Sequence, residues 1–227
     1  MPTEIQNRSG LTGNQLKIIA MIAMTCDHVG LQLLPHWGIL RILGRLALPI
    51  YAYMIAEGCR HTHDRKKYLL RMVTLALVCQ IVYFGAMGSL YQCILVTFSL
   101  SIGLICAVDN ALKRQDAGSK LLALGMLAAI IFLCVVLPKM LHGFDIDYGL
   151  FGVLLPALVY FGNPKPQYLT VGLILLALNY GGTQWWALAA VPLLSMYNGQ
   201  RGKYPMGKLF YIYYPLHLVV IYGLSLL

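Results

Sequence analysis

The sequence predicts an all-α fold: a polytopic integral membrane protein with about nine transmembrane helices, its N-terminus inside and its C-terminus outside. Three observations lead there. Of 227 residues, 59% are hydrophobic and 11% charged, and the mean hydropathy of +0.71 is too high for an ordinary water-soluble domain. Apolar runs near twenty residues recur without strand-like alternation, and among structures that satisfy the backbone in lipid such runs select helices over barrels. The 17 Lys and Arg residues are also segregated by side. With the N-terminus inside, Arg8, Lys17, Arg60, Arg65, Lys66, Lys67, Arg71, Lys113, Arg114, Lys120, Lys165, Arg201, Lys203 and Lys208 share the inner side. Lys139 alone lies outside, and Arg41 and Arg45 fall within a span.

The spans are expected at residues 14–34, 38–57, 67–87, 91–111, 119–138, 148–162, 167–180, 184–198 and 207–226, within a single domain, 1–227. Pro35, Gly88, Gly118, Asn163-Pro164, Gly181-Gly182 and Gly199 punctuate the turns. The polar segment MPTEIQNRSGLTGNQLK has no basic start leading into a short apolar core, so no cleaved signal peptide is expected.

The first span carries Lys17, Asp27 and His28, and the second carries Arg41 and Arg45. Ionisable groups at this depth cost a few kcal/mol each and by default face a protein interior. If the two helices are antiparallel, His28 lies roughly 9 Å and Arg45 roughly 10 Å from the same membrane surface. Arg45 is then level with Asp27 and His28, and Arg41 is one turn away on the same face. The constellation reads either as a structural ion pair that fixes register or as a catalytic group in which His28 works with Asp27 and Arg45. Adjacent helical residues point about 100° apart, so Asp27 pairs Arg45 as readily as it touches His28. Lys17 and His28 return to one face eleven residues apart, which makes Lys17, Met21, Met24 and His28 a stripe roughly 16 Å long. A cation at its mouth and a base at its depth suit a long substrate with an anionic head; Lys17 snorkelling to the interface is the simpler reading.

Glu57 ends the second span, and the densest basic stretch follows it: CRHTHDRKKYLLR. Arg60, His61, Arg65, Lys66 and Arg71 suit the phosphates of a cytosolic anionic cofactor. The same charges equally serve as a positive-inside signal beside anionic lipid. His61 and His63 lack a Glu or Cys to complete a metal set, so no metal site is expected. Six cysteines without paired spacing read as small buried hydrophobes. The net charge of +9 reports topology, and nucleic acid is not an expected partner.

Gln80 in the third span and Gln92, Thr97, Ser99 and Ser101 in the fourth are interhelical hydrogen-bonding groups. The outer loop HGFDIDYG places Asp145 and Asp147 in a local acidic spot. Spans six to eight are short, hence tilted, partly re-entrant or shielded by protein. Trp185-Trp186 reads as an interfacial anchor. In the last span, His217 follows Tyr213, Tyr214 and the kink-forming Pro215. It either completes the site or satisfies itself through the phenols.

LKIIAMIAMTCDHVG, LRILGRLALPIYAYMIAEGCRHTHDRKKYLLR and FYIYYPLHLVVI resemble the TraX family, membrane proteins associated with acetylation of conjugative pilin. A more distant resemblance is to the type 3 membrane acyltransferases, whose first helix carries Arg, ten residues, then His; here Lys17 and His28 hold that spacing. The resemblance implies a multi-pass acetyltransferase of the bacterial inner membrane, with acetyl-CoA as donor and a pilin N-terminus or another amine or hydroxyl as acceptor. Combined with the residues above, it implies His28 as general base, Asp27 as its support and Arg45 as oxyanion stabiliser. Lys17, Arg41, Arg60, His61, Arg65, Lys66 and Arg71 would hold the CoA thioester, and Glu57, Tyr214 and His217 the acceptor. The rivals are a proton-coupled transporter, with Asp27, His28, Arg45 and His217 as relay groups, and a non-catalytic pilin assembly factor.

Overall fold

The computed structural model of the chain describes residues 9–162, 166–204 and 206–226. Arg8, Lys165 and the Asn163-Pro164 turn lie outside these residues, as does the side chain of Lys208. The chain is about 80% helical, with no strand among the described residues. Among the described residues, four stretches are long and apolar enough to cross a membrane: Gly38–His61, Arg65–Gly85, Ile94–Arg114 and Ala117–Met140. Gly149–Phe161, Gln167–Tyr180 and Leu209–Ser225 are shorter apolar helices.

Helix α1, Gly13–Gln32, opens on a capping box in which Thr12 and Gln15 satisfy each other's orphan backbone donors. The expected second span is split into α2, Gly38–Gly44, and α3, Ala47–His61. The cause is Pro49. It has no N–H to return to the Arg45 carbonyl, so an uninterrupted helix would leave that carbonyl orphaned, whereas a proline in the first turn of a new helix costs nothing. Arg45 therefore sits at a break inside the bundle.

Helices α4, Arg65–Met87, and α5, Ile94–Arg114, follow. The fifth span runs to Met140 as α6, Ala117–Ile131, a π-turn over Phe132–Val136, and α7, Leu137–Met140. Pro138 deprives that last turn of a donor, and the π-turn takes up the mismatch. Helices α8, Gly149–Phe161, and α9, Pro166–Tyr180, lead to a 3-10 segment, Gly182–Ala189. Helix α10, Ala190–Ser195, ends short of the expected 198, and α11, Gly207–Ser225, continues through Pro215.

The core lies among α1, α3, α5, α8 and α9, where Leu16, Ile50, Ile102, Ile105, Leu155 and Leu173 are fully buried. By contrast α4 and α6 turn Leu70, Leu77, Ile81, Leu121, Leu122 and Leu124 outward. Such contiguous apolar faces suit lipid. One end of the bundle is tied where Leu11, Gly13 and Asn14 bond the backbone of residues 196–201. The opposite end is tied where Gln92 exchanges backbone bonds with Asp145 and Asp147.

Candidate functional site

A cavity of about 770 Å³ lies toward the end that carries the Gln92 and Asp147 loops, and Asp27, His28, Arg41 and Arg45 all line it. The carboxylate of Asp27 receives two guanidinium groups. Arg41 Nη1 donates to Oδ2 at 2.7 Å, and an Arg45 Nη2–H donates to Oδ1. Three more of the five Arg45 hydrogens are taken up: Nε–H donates to the Arg41 carbonyl at 3.3 Å. Nη1 donates to the Tyr148 hydroxyl at 3.0 Å and to Gln184 Oε1 at 3.2 Å. One residue thus joins α1, α2, the start of α8 and the 3-10 segment.

Gly44 makes this possible, because a Cβ built there would fall within the Asp27 side chain. Gly44→Ala is expected to lower stability by roughly 1–3 kcal/mol, the usual cost of overpacking. A thermal melt of the purified variant checks this, and an unchanged midpoint would contradict the packing.

His28 turns away from the ion cluster toward α11. His217 Nδ1 lies 3.0 Å from the Tyr213 carbonyl, and its Nε2 lies 2.9 Å from His28 Nδ1. A carbonyl only accepts, so in the neutral ring His217 carries its proton on Nδ1 and offers Nε2 as acceptor. A neutral His28 then donates from Nδ1 and keeps its lone pair on Nε2, the form a general base needs. Tyr213 stacks on His217 at 5.3 Å, and its hydroxyl meets Thr25 at 2.5 Å. The two histidines are 189 positions apart and meet because α1 packs against α11.

The cavity wall continues through Tyr91, Asp147 and Tyr148. The Tyr91 hydroxyl donates to Asp147 Oδ1 at 2.6 Å, and Thr97 donates to the Asp147 carbonyl at 2.7 Å. Tyr148 adopts the left-handed backbone, φ 57°, a conformation disfavoured for a bulky side chain, and so delivers its hydroxyl to Arg45. Asp147 lies in the loop before α8. Loss of solvent pushes its carboxyl up to about 6, while Tyr91 and Arg45 pull it down. An acid with a raised folded-state pKa binds protons more tightly folded than unfolded. Its contribution is fully present below the ordinary carboxylate value of 3.8 and is lost as pH rises through about 6. Asp147→Asn is therefore expected to gain stability relative to the parent between pH 4 and pH 7, read from melting points across that range. A constant difference would contradict the shift.

The remaining residues singled out in the sequence are not gathered here. Lys17 lies over the Phe210 ring at 5.3 Å, and Met21 and Met24 are buried, so the stripe from Lys17 to His28 is packed with side chains. Arg60 is committed to Glu57 at 3.0 Å and to the Val159 and Tyr160 carbonyls. Arg65 is committed to Asp109, the Cys59 carbonyl and the Tyr160 hydroxyl. His61, mostly exposed, faces Glu57 at 3.3 Å, which places Glu57 with this basic group and apart from the cavity. Lys66 and Arg71 are exposed. Tyr214 lines the cavity, while His217 stands behind His28. No group of three or more His, Cys, Asp or Glu among the described residues could hold a metal ion. Sequence reasoning passed over Gln184, Tyr91 and Tyr148, which are uncharged and sit at turns, where polarity carries no signal.

The chain is 25% identical to the probable fimbrial assembly protein FimC, serogroup H1, of Dichelobacter nodosus. That alignment spans 239 positions and covers 91% of this chain and 93% of the relative. An uncharacterized protein of Rickettsia prowazekii (strain Madrid E) is 34% identical over 96 residues, 38% of each chain. No solved structure matches. The model of the family described as TraX protein matches residues 12–225, nearly the whole chain. On that match, together with the apolar helices that enclose the Asp27–Arg45 cluster, the chain belongs to the TraX family.

Proposed function

We propose that this chain is a membrane-embedded acetyltransferase of the bacterial cytoplasmic membrane, crossing it nine times with the N-terminus inside. It moves acetyl from acetyl-CoA to an amine or hydroxyl on a fimbrial or pilin subunit, or on another acceptor near the membrane. The observation that carries this reading is His28: an imidazole with its proton held on Nδ1 by His217, on the wall of the cavity. His28 takes the acceptor's proton as the acceptor attacks the thioester carbonyl. Family membership and the name of the Dichelobacter relative support the fimbrial acceptor. Among the cations expected to meet CoA phosphates, Lys66 and Arg71 are exposed but stand at the start of α4, away from the cavity at its far end, and Arg60 and Arg65 already serve protein acceptors.

A second reading, a non-catalytic factor that holds a fimbrial subunit, is favoured by the packing of the stripe between Lys17 and His28. Purified protein in lipid vesicles, given acetyl-labelled CoA and a pilin subunit, separates the two. Label transferred to the subunit, with free CoA released in equal amount, supports the enzyme. Subunit bound without label would overturn it in favour of the holding factor.

A further inference from the structure

Gln184 is 4% exposed and lines the cavity, and its Nε2 has no hydrogen-bond partner among the described residues. The orientation of its amide follows from chemistry. Arg45 can only donate, so the Gln184 atom it meets at 3.2 Å is the carbonyl oxygen, and the NH₂ group is held on the other side. A buried amide donor without an acceptor is costly, because it has given up its bonds to water and gained none in return. Such a group is retained where something else accepts its hydrogen bond. Its segment is held in place: the Gln184 N–H bonds the Gly181 carbonyl at 3.1 Å, and Gly181 and Gly182 both take positive φ to turn the chain back into the bundle.

Arg45 is poorly placed for the same task. It shares the Asp27 carboxylate with Arg41, and four of its five N–H groups already serve Asp27, Tyr148, Gln184 and the Arg41 carbonyl. Its role is to anchor the Gln184 oxygen, which aims and polarises the opposite end of the amide.

We propose that Gln184 Nε2 binds the acyl carbonyl oxygen of a thioester or ester, and the oxyanion that forms there; this rests on the acetyltransferase reading. The acceptor nitrogen or oxygen bonds to the carbonyl carbon, and its proton passes to His28 Nε2. The C=O π pair moves onto oxygen, where the Gln184 N–H stabilises it. When the C=O bond re-forms, the C–S bond breaks, and the departing thiolate takes the proton from His28. The products are the acetylated acceptor and the free thiol.

Two substitutions isolate the donor. Gln184→Met removes both halves of the amide. Gln184→Glu keeps an oxygen for Arg45 but replaces the donor Nε2 with a carboxylate oxygen. If Gln184 merely positions Arg45, the Glu variant works like the parent. If it is an oxyanion donor, both variants lose roughly 10²–10³-fold in kcat with KM nearly unchanged, the cost of deleting one such donor. Turnover of the Glu variant within threefold of the parent overturns the assignment. Binding of methylphosphonate, a tetrahedral anion that mimics the intermediate, is followed by calorimetry and needs no turnover. The parent is expected to bind it at least tenfold more tightly than either variant. Equal affinity, or no binding by the parent, also overturns the proposal. Tight parental binding without acetyl transfer would sink the acetyltransferase reading while leaving Gln184 as an anion donor.

Discussion

Asp27→Ala is expected to remove about 3–5 kcal/mol of stability, the usual consequence of breaking a buried ion pair from one side. The magnitude follows from what stays behind. Arg41 and Arg45 both donate to this carboxylate, and Arg45 is 8% exposed at a helix break, so water cannot easily replace the lost partner. Asp27→Asn keeps the shape and one acceptor, and should cost less but still lower the melting point. Adding Arg45→Met to Asp27→Ala should recover part of the loss, because the second change removes the uncompensated charge. Melting curves of the three variants in one detergent decide the matter. If Asp27→Ala melts with the parent, the cluster is not what holds α1 to α2.

The second large effect falls on chemistry. Under the acetyltransferase proposal, His28→Ala should reduce transfer by roughly 10²–10⁴-fold, the range for loss of a general base. His28→Asn is the informative control, since its amide NH₂ stands near the position of Nδ1. It can still donate to His217 but has no basic nitrogen at the Nε2 position. The Asn variant should therefore melt close to the parent and remain inactive. Activity within tenfold of the parent would exclude His28 as the base.

The part of this site that can be read from the sequence is its charge. Asp27, His28, Arg41 and Arg45 stand out because hydrocarbon is expected around them, and helical rise alone brings Arg45 level with Asp27. The family is legible from the same stretch and from the last helix. Other features depend on tertiary packing, which a single chain does not encode locally. The contact of His28 with His217 needs α1 beside α11. The capture of Arg65 by Asp109 and of Arg60 by two carbonyls needs α3, α5 and α8 in place, and it takes two cations from a cluster that reads as free. Gln184 is neutral and precedes a tryptophan pair that reads as a membrane anchor, so nothing marks it until Arg45 is seen to hold its oxygen. The division of the second span is visible beforehand only as Pro49, and a proline in the first turn of a helix does not announce that another helix has just ended.

That division also has an electrical consequence. An unbroken membrane helix keeps its partial charges at its two tips, where headgroups and water damp them. A pass interrupted after Gly44 instead sets the carbonyl end of α2 against the amide end of α3 inside the bundle, and the Arg45 and Leu46 N–H groups bond the Ile42 and Leu43 carbonyls across the break. The guanidinium of Arg45 adds one more donor at the carbonyl end through its bond to the Arg41 carbonyl. Opposite partial charges therefore meet at the break and offset each other, so the interruption leaves little polarity unpaired in the middle of the bundle.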